Sequence, residues 1–394
     1  MCVLSILIAT SMILLYFFIN VPNMNISGKI KVMHVINGEF FSGAERVQDV
    51  LALRLPDYGY EVGFSCVKPA KFSTCRNSTV SLFEMPMQSK FDLAPAWEIA
   101  RIVKQDGYAL LHTHTPRAAL VGRVAAWLAG VPLVHHVHSP TARDTESTWR
   151  NRKNAIMERL SLIGVAQLIP VSKSLETYLK KQGWSQVRIT MVANGVVTPG
   201  FLPDRLAPGS EWIIGSVALF RPRKGMEVLI QALANLRQMG QDVRLRAVGP
   251  FETIEYEKTI KEMAVRLGVA DAIDWVGFAQ DVNAEFFRMD VLVLPSLFGE
   301  GMPMVILEAM ATGVPVVASD VEGIPEVLEH GRTGLVTPAG DAGQLAAALA
   351  DLINNKYDWC AIREDAYRLQ VENFSDRSMA EGVAKVYERV LGHV

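Results

Sequence analysis

Two carboxylates eight positions apart, Glu300 and Glu308, bracket a turn carrying two glycines and a proline, Gly299-Glu300-Gly301-Met302-Pro303. The turn follows an apolar run, Asp290 to Pro295, that reads as a buried parallel strand. It leads into a segment rich in Met, Leu and Ala that reads as a helix. A helix start offers unpaired N–H groups and a partial positive charge, so a phosphate can rest between the two acids without a metal. Glu300 can then take the hydroxyls of a sugar, and Glu308 those of a ribose. Pro303 has no N–H, which leaves Gly301, Met302, Met304 and Val305 as the backbone donors to a sugar phosphate. This is the outline of a nucleotide-sugar site.

Other residues can serve the same chemistry. Lys224 stands at the start of an expected helix, Gly225 to Met239, with Arg221 and Arg223 in the same loop. Positive charge there can stabilise a departing diphosphate. A second glycine-bearing turn, Ser42-Gly43-Ala44-Glu45-Arg46, opens another helix, and its backbone can approach a ligand closely. Glu45 and Arg46 are expected to cap or pair rather than react. Histidines gather at two predicted strand ends: His112 and His114, then His135, His136 and His138. A metal is conceivable there, but His112 and His114 lack an obvious carboxylate partner, and the expectation is that no metal is held. The turns Gly249-Pro250-Phe251 and Gly277-Phe278 are candidates to hold a nucleobase, with Phe278 as either apolar wall or core and Trp275 as core.

The Glu300–Glu308 pair resembles the E-x7-E motif of the retaining, GT-B-fold glycosyltransferases of family 4. The match continues through Ala311-Thr312-Gly313-Val314-Pro315, Gly323-Ile324-Pro325-Glu326 and Gly331-Arg332-Thr333-Gly334, and upstream through Arg221 to Gly225 and Ser42 to Arg46. It covers roughly residues 29 to 390. The resemblance implies transfer of a sugar from a nucleoside diphosphate to a hydroxyl, with retention at the anomeric carbon and no cofactor. It implies that Lys224 binds the donor phosphates and that His138 contacts the donor sugar. By the same likeness, the loop carrying Ser42 and Gly43 lies beside the donor phosphate and the acceptor; His114 is expected either to help bind the acceptor or to be a packed or surface histidine. The family usually has an arginine where this chain has Leu219, so Arg221 or Arg223 is expected to take over its charge. Two rivals share the architecture: a nucleotide-sugar epimerase, and a non-catalytic binding homologue.

Composition narrows the field. A chain of 394 residues has room for two cores, and a net charge of −2 without long charged runs gives no footprint for nucleic acid. Four cysteines lack the spacings of a zinc site and are too few for a disulfide framework. No D-x-D motif occurs. Its absence favours a metal-independent reaction.

These residues need scaffolding, and the sequence supplies two series of it. From Lys29 onward short apolar runs alternate with amphipathic segments of helical length, the pattern of α/β parallel sheets. Strands are predicted at 31–36, 61–67, 109–113, 132–137, 168–172 and 189–193, and again at 212–218, 243–249, 273–277, 290–294 and 316–319. Between the series, Asn194 to Pro203 is rich in Gly and Pro and reads as a linker. The expected organisation is an acceptor-side Rossmann-like domain over 29–200 and a nucleotide-sugar domain over 201–375. A last helix, 376–394, can cross back to the first domain. Facing doubly wound sheets leave a cleft at the carboxyl ends of their strands.

Residues 3–21 are mostly apolar and uncharged, long enough to span a bilayer. They read either as an anchor or as an over-extended start. With Lys29 and Lys31 following, the body is expected at the cytoplasmic face. The expected partners are a nucleotide-sugar donor, a saccharide or lipid-linked saccharide acceptor, and the inner face of a membrane.

Overall fold

The computed structural model describes residues 28–140 and 148–392. The apolar segment 3–21 lies outside the described residues. Among those described, no helix is long and apolar enough to cross a membrane.

Two six-stranded parallel sheets form the frame. The first contains β1 (Ile30–Ile36), β2 (Tyr60–Cys66), β3 (Leu82–Glu84), β4 (Leu110–Thr113), β5 (Leu133–Val137) and β6 (Gln167–Pro170). Their order is β3-β2-β1-β4-β5-β6. The second contains β7 (Trp212–Val217), β8 (Val243–Val248), β9 (Ile273–Gly277), β10 (Val291–Leu294), β11 (Val316–Ser319) and β12 (Leu335–Thr337). Their order is β12-β11-β10-β7-β8-β9. Helices connect the strands and cover both faces. That is why Val32, Met33, Val35 and Ile36 are all fully buried, with none of the polar alternation of a one-sided sheet.

Two short strands, β3 and β12, lie at sheet edges and were not expected. The predicted strand 189–193 is absent. Ile189 makes one isolated bridge to Leu168, and the chain follows β6 only through Thr190 N–H donating to the Leu168 carbonyl and Val192 N–H donating to the Pro170 carbonyl, without forming a strand.

The chain passes between the halves twice, and the two passages lie side by side. Val196 N–H donates to the Phe374 carbonyl at 3.0 Å, and Asp376 N–H donates to the Val196 carbonyl at 2.9 Å. Ser375 caps the last helix, Asp376–Leu391. This helix packs on the first half: Arg54 bonds Asp376, and the Tyr58 hydroxyl donates to the Arg377 carbonyl at 3.2 Å. Its Tyr387 is fully buried. One continuous apolar cluster joins the first sheet, the last helix and residues 302–311 of the second half, so the cleft floor and the crossing share a core.

Candidate functional site between the two sheets

The loop after β10 is drawn tightly under the first half. Gly301 has no side chain, and a Cβ there would lie 2.0 Å from the His138 carbonyl oxygen. Only glycine permits that approach. The Asn194 amide donates to the Met302 carbonyl at 2.9 Å. Glu326 accepts from the N–H groups of Lys173 and Ser174 at 2.6 and 2.7 Å, capping from the second half a helix of the first, Lys173–Lys181.

Glu300 is buried and anchored on several sides. Its carboxylate pairs with the Lys224 ammonium, accepts from the Ser296 hydroxyl at 2.7 Å, and lies 3.8 Å from Arg223. Its own N–H donates to Glu322 at 2.7 Å. Burial alone would raise its pKa, but Lys224, Arg223 and Ser296 together hold it below the usual carboxylate range. Burial pulls Lys224 below the usual ammonium range, with Glu300 acting against that shift. The two cations and the acid form a compact charged group at the turn.

The arginines divide. Arg223 donates to the Gly299 carbonyl at 2.9 Å, and its own carbonyl accepts from Leu297 N–H, so it staples the loop carrying Glu300. Arg221 lies 3.5 Å from Glu252 and still acts on the charge of Lys224. Leu219 is half-buried and supplies no charge.

Glu308 is the fifth residue of the helix Met304–Ala311 and only 5% exposed. Across the cleft Arg46, in the helix Gly43–Arg54, engages both of its oxygens, Nη1 donating to Oε2 at 3.0 Å. Burial raises the Glu308 pKa, and Arg46 pulls it down. Gly43 lies over Met304, where an added Cβ would sit 3.6 Å from Cγ. The Ser42 hydroxyl, expected on the acceptor side, donates to Glu45 at 2.7 Å and serves the helix start.

The histidines come from three adjacent strands whose register aligns them: His34 on β1 pairs with His112 on β4, and His112 with Val134 on β5. Alternation then puts His34, His112, His114, His136 and His138 on one face. His135 points the other way, to the Thr113 hydroxyl at 2.8 Å. His114, expected to meet an acceptor, is 2% exposed, with one nitrogen 3.2 Å from His138 and the other 3.2 Å from His34. Neither is left for a ligand. Burial pushes His34 down to about 3 and His138 to about 4, and His112, His114 and His136 well below the ordinary value.

Two trios, His34/His112/His114 and His114/His136/His138, bring ring nitrogens within 4.8 Å of one another. Each trio contains a stacked pair: His136 and His138 lie 12° from parallel at 4.5 Å, and His112 and His114 30° at 4.2 Å, while His34 stands at 63° to His112. A metal lies in the plane of each imidazole that binds it, and stacked rings share no such point. The geometry is that of packed neutral imidazoles.

The nucleobase candidates differ in exposure. Phe278 is 59% exposed, and Trp275 packs partly buried against the second core. Gly249 (φ +126°) spends its N–H on the Gly277 carbonyl at 2.7 Å, so that donor is unavailable to a base.

Comparison with known proteins bears on the whole arrangement. A family model described as Glycosyltransferase Family 4 matches residues 41–198, and one described as Glycosyl transferases group 1 matches residues 211–355. The chain belongs to the group 1 glycosyltransferases. It is 33% identical over 201 residues to a putative colanic acid biosynthesis glycosyltransferase, WcaL, of Salmonella typhimurium, covering 48% of each chain. It thus spans about half the length of that relative. With a UDP-Gal:alpha-D-GlcNAc-diphosphoundecaprenol alpha-1,3-galactosyltransferase of Escherichia coli it shares 24% identity over 83% of this chain and 89% of the other. In three dimensions it is similar to Anabaena Alr3699/HepE, solved in complex with UDP-glucose, at a TM-score of 0.80 and 22% identity over 91% of this chain and all of that one. That likeness identifies the GT-B fold.

Three residues packed around the candidate site, Tyr387, His34 and Glu322, were not expected from the sequence. Tyr387 and His34 carry no local motif, and they join the histidines only once strand order and the return of the last helix are known. Glu322, which holds the Glu300 backbone, has a signal only in retrospect, standing beside Gly323.

Proposed function

We propose that this protein transfers a sugar from a nucleoside-diphosphate sugar to a hydroxyl of a saccharide or lipid-linked saccharide, with retention of anomeric configuration. The observation that carries the reading is the turn at Glu300: a buried carboxylate set between Lys224 and Arg223, eight residues before Glu308. In this reading Glu300 orients the donor sugar and Glu308 takes the ribose hydroxyls. Lys224 and Arg223 meet the diphosphate, with first-turn N–H groups from Met304 and Val305 behind them. Arg223 stands in for the cation missing at Leu219. His138 and Gly43 lie beside the donor, and Gly249 and Phe278 flank the base. Ser42 and His114 act through their neighbours.

The bond from the anomeric carbon to the β-phosphate oxygen breaks as the bond to the acceptor oxygen forms on the same face. The acceptor proton passes to the departing diphosphate, so atoms and charge balance without a nucleophilic side chain. Lys224 and Arg223 supply the positive charge that a divalent metal supplies elsewhere, and activity is expected to survive EDTA. HepE was solved with UDP-glucose and the E. coli relative is named for UDP-Gal, which makes those two donors the first to try. One relative is named, as putative, for colanic acid biosynthesis and the other for a diphosphoundecaprenol-linked sugar, which supports a cell-envelope polysaccharide and a place at the cytoplasmic face of the membrane. All are transferases, which leaves the epimerase reading without support.

The test is acceptor-dependent release of nucleoside diphosphate, with the anomeric proton of the product followed by NMR. A product that keeps the donor's configuration supports the reading. Donor converted without acceptor, or an inverted product, overturns it.

A further inference from the structure

Four hydrogen bonds link five buried or half-buried groups in a single file. His138 Nε2 is 3.2 Å from His114 Nδ1, and His114 Nε2 is 3.2 Å from His34 Nδ1. His34 Nε2 is 2.9 Å from the Tyr387 hydroxyl, which is 2.6 Å from His112 Nδ1. The file starts in the interior and ends at the residue whose carbonyl touches Gly301.

Each imidazole is neutral, because burial keeps all four well below their ordinary pKa, and Tyr387 is pushed up and keeps its proton. A neutral imidazole has one N–H and one lone pair. A file of such groups makes every link and also uses the Tyr387 proton in only two ways, with all protons directed inward or all outward; if His34 and His112 both donated to the phenol oxygen, its own O–H would be buried without a partner. The inward state leaves an N–H on His112 Nε2, which is buried without a partner. The outward state leaves a lone pair there. A buried unpaired N–H is the rarer and costlier defect.

We propose that Tyr387, on the returning helix, is a positioning residue that with His112, His34 and His114 fixes the tautomer of His138, so that His138 offers its Nδ1–H to the ligand in the cleft. His138 then donates to a sugar oxygen and does not act as a base. The tautomer follows from the file alone; that the ligand is a donor sugar rests on the proposed function. The crossing helix therefore does more than pack: it carries the hydroxyl that joins His112 to the other three rings. His136, stacked 4° from parallel with His112 and 12° with His138, walls the file without joining it.

Long-range ¹⁵N–¹H spectra of the histidine side chains of the full protein test this without substrate. The expected result is His138 protonated at Nδ1, unchanged by EDTA, and lost or averaged in Tyr387→Phe. The same variant is expected to lower kcat/KM for the donor about tenfold, through KM more than kcat, with the fold retained. If Tyr387→Phe fails to fold, His112→Phe keeps a ring in the stack and removes the end of the file, with the same spectral change expected. His138 protonated at Nε2 in the native protein, a spectrum altered by EDTA, or one unmoved by both substitutions overturns the proposal. Unchanged donor kinetics alongside a lost tautomer would instead refute the placement of a sugar at His138.

Discussion

Arg46 and Glu308, 262 positions apart in sequence, meet across the cleft in a two-pronged ion pair, the guanidinium 29% exposed and the carboxylate 5%. Glu308 is the acid proposed to hold the ribose. The pair therefore occupies the ribose carboxylate while the halves are drawn together, and a donor must share or displace Arg46. Arg46→Gln is expected to strip a buried carboxylate of its partner and lower stability by about 2 kcal/mol, between the values for exposed and fully buried pairs. Glu308→Gln removes the charge that is costly to bury and is expected to cost less than about 1 kcal/mol while weakening donor binding at least tenfold. Urea unfolding and donor titration of the two variants separate these effects.

Glu300 and Lys224 are both buried and depend on one another. Removing either leaves an uncompensated charge, so Glu300→Gln and Lys224→Met are each expected to destabilise by about 3 kcal/mol, and the double variant by less than their sum. Turnover is expected to fall at least a hundredfold in each. A double-mutant cycle in urea and steady-state rates check both statements.

Arg223 and Arg221 occupy one short loop but face different partners. Arg223→Ala is expected to loosen the Gly299 carbonyl and remove a cation 3.8 Å from Glu300, weakening the donor about tenfold or more. Arg221→Ala removes a half-exposed pair with Glu252 and is expected to change affinity less than threefold. Equal losses would reverse the assignment of the second cation.

Stability should fall on the acid side of neutrality. The buried histidines have folded pKa values depressed below the ordinary 6.5, to about 3 for His34 and His135 and about 4 for His138. The unfolded chain then binds more protons than the native one below pH 6.5. The stability these groups provide is full above that value and is lost as pH falls towards 3 to 4, by up to about 1.4 kcal/mol per histidine per pH unit. Glu308, with its raised pKa, has the opposite sign: its contribution is present below 4.5 and lost as pH rises through its folded value. One carboxylate against six histidines leaves the net slope positive with pH. Urea midpoints at pH 7.5, 6.0 and 5.0 measure it, and His136→Phe is expected to flatten the curve.

The sequence made some of this legible and hid the rest for physical reasons. β10 stands out because burial on both faces demands an unbroken apolar run, and β1 because only Lys31 and His34 interrupt one. β3 and β12 have three residues each at sheet edges, too short to carry a period, and 189–193 is apolar enough for a strand but lies beside β6 with one bridge and two backbone bonds, short of a strand. Glu300 and Lys224 lie in local turns and Glu308 in the helix directly after one, and their types alone suggest a phosphate-and-sugar chemistry. What Arg46, Glu322 and Tyr387 touch is set by strand order and by the second crossing, which no local window contains. Ser42 and His114 illustrate the reverse: in a suitable place by motif, each has its polar atoms already bound by a neighbour.

The most direct measurement is the thermal stability of the protein with UDP, GDP and ADP and with their sugars, beside Glu308→Ala and Lys224→Ala. The expected result is a rise in Tm with one diphosphate and its sugar, absent in both variants. A folded protein that no nucleotide or nucleotide sugar stabilises, or one stabilised equally in the variants, would contradict a donor site built on Glu300, Glu308 and Lys224.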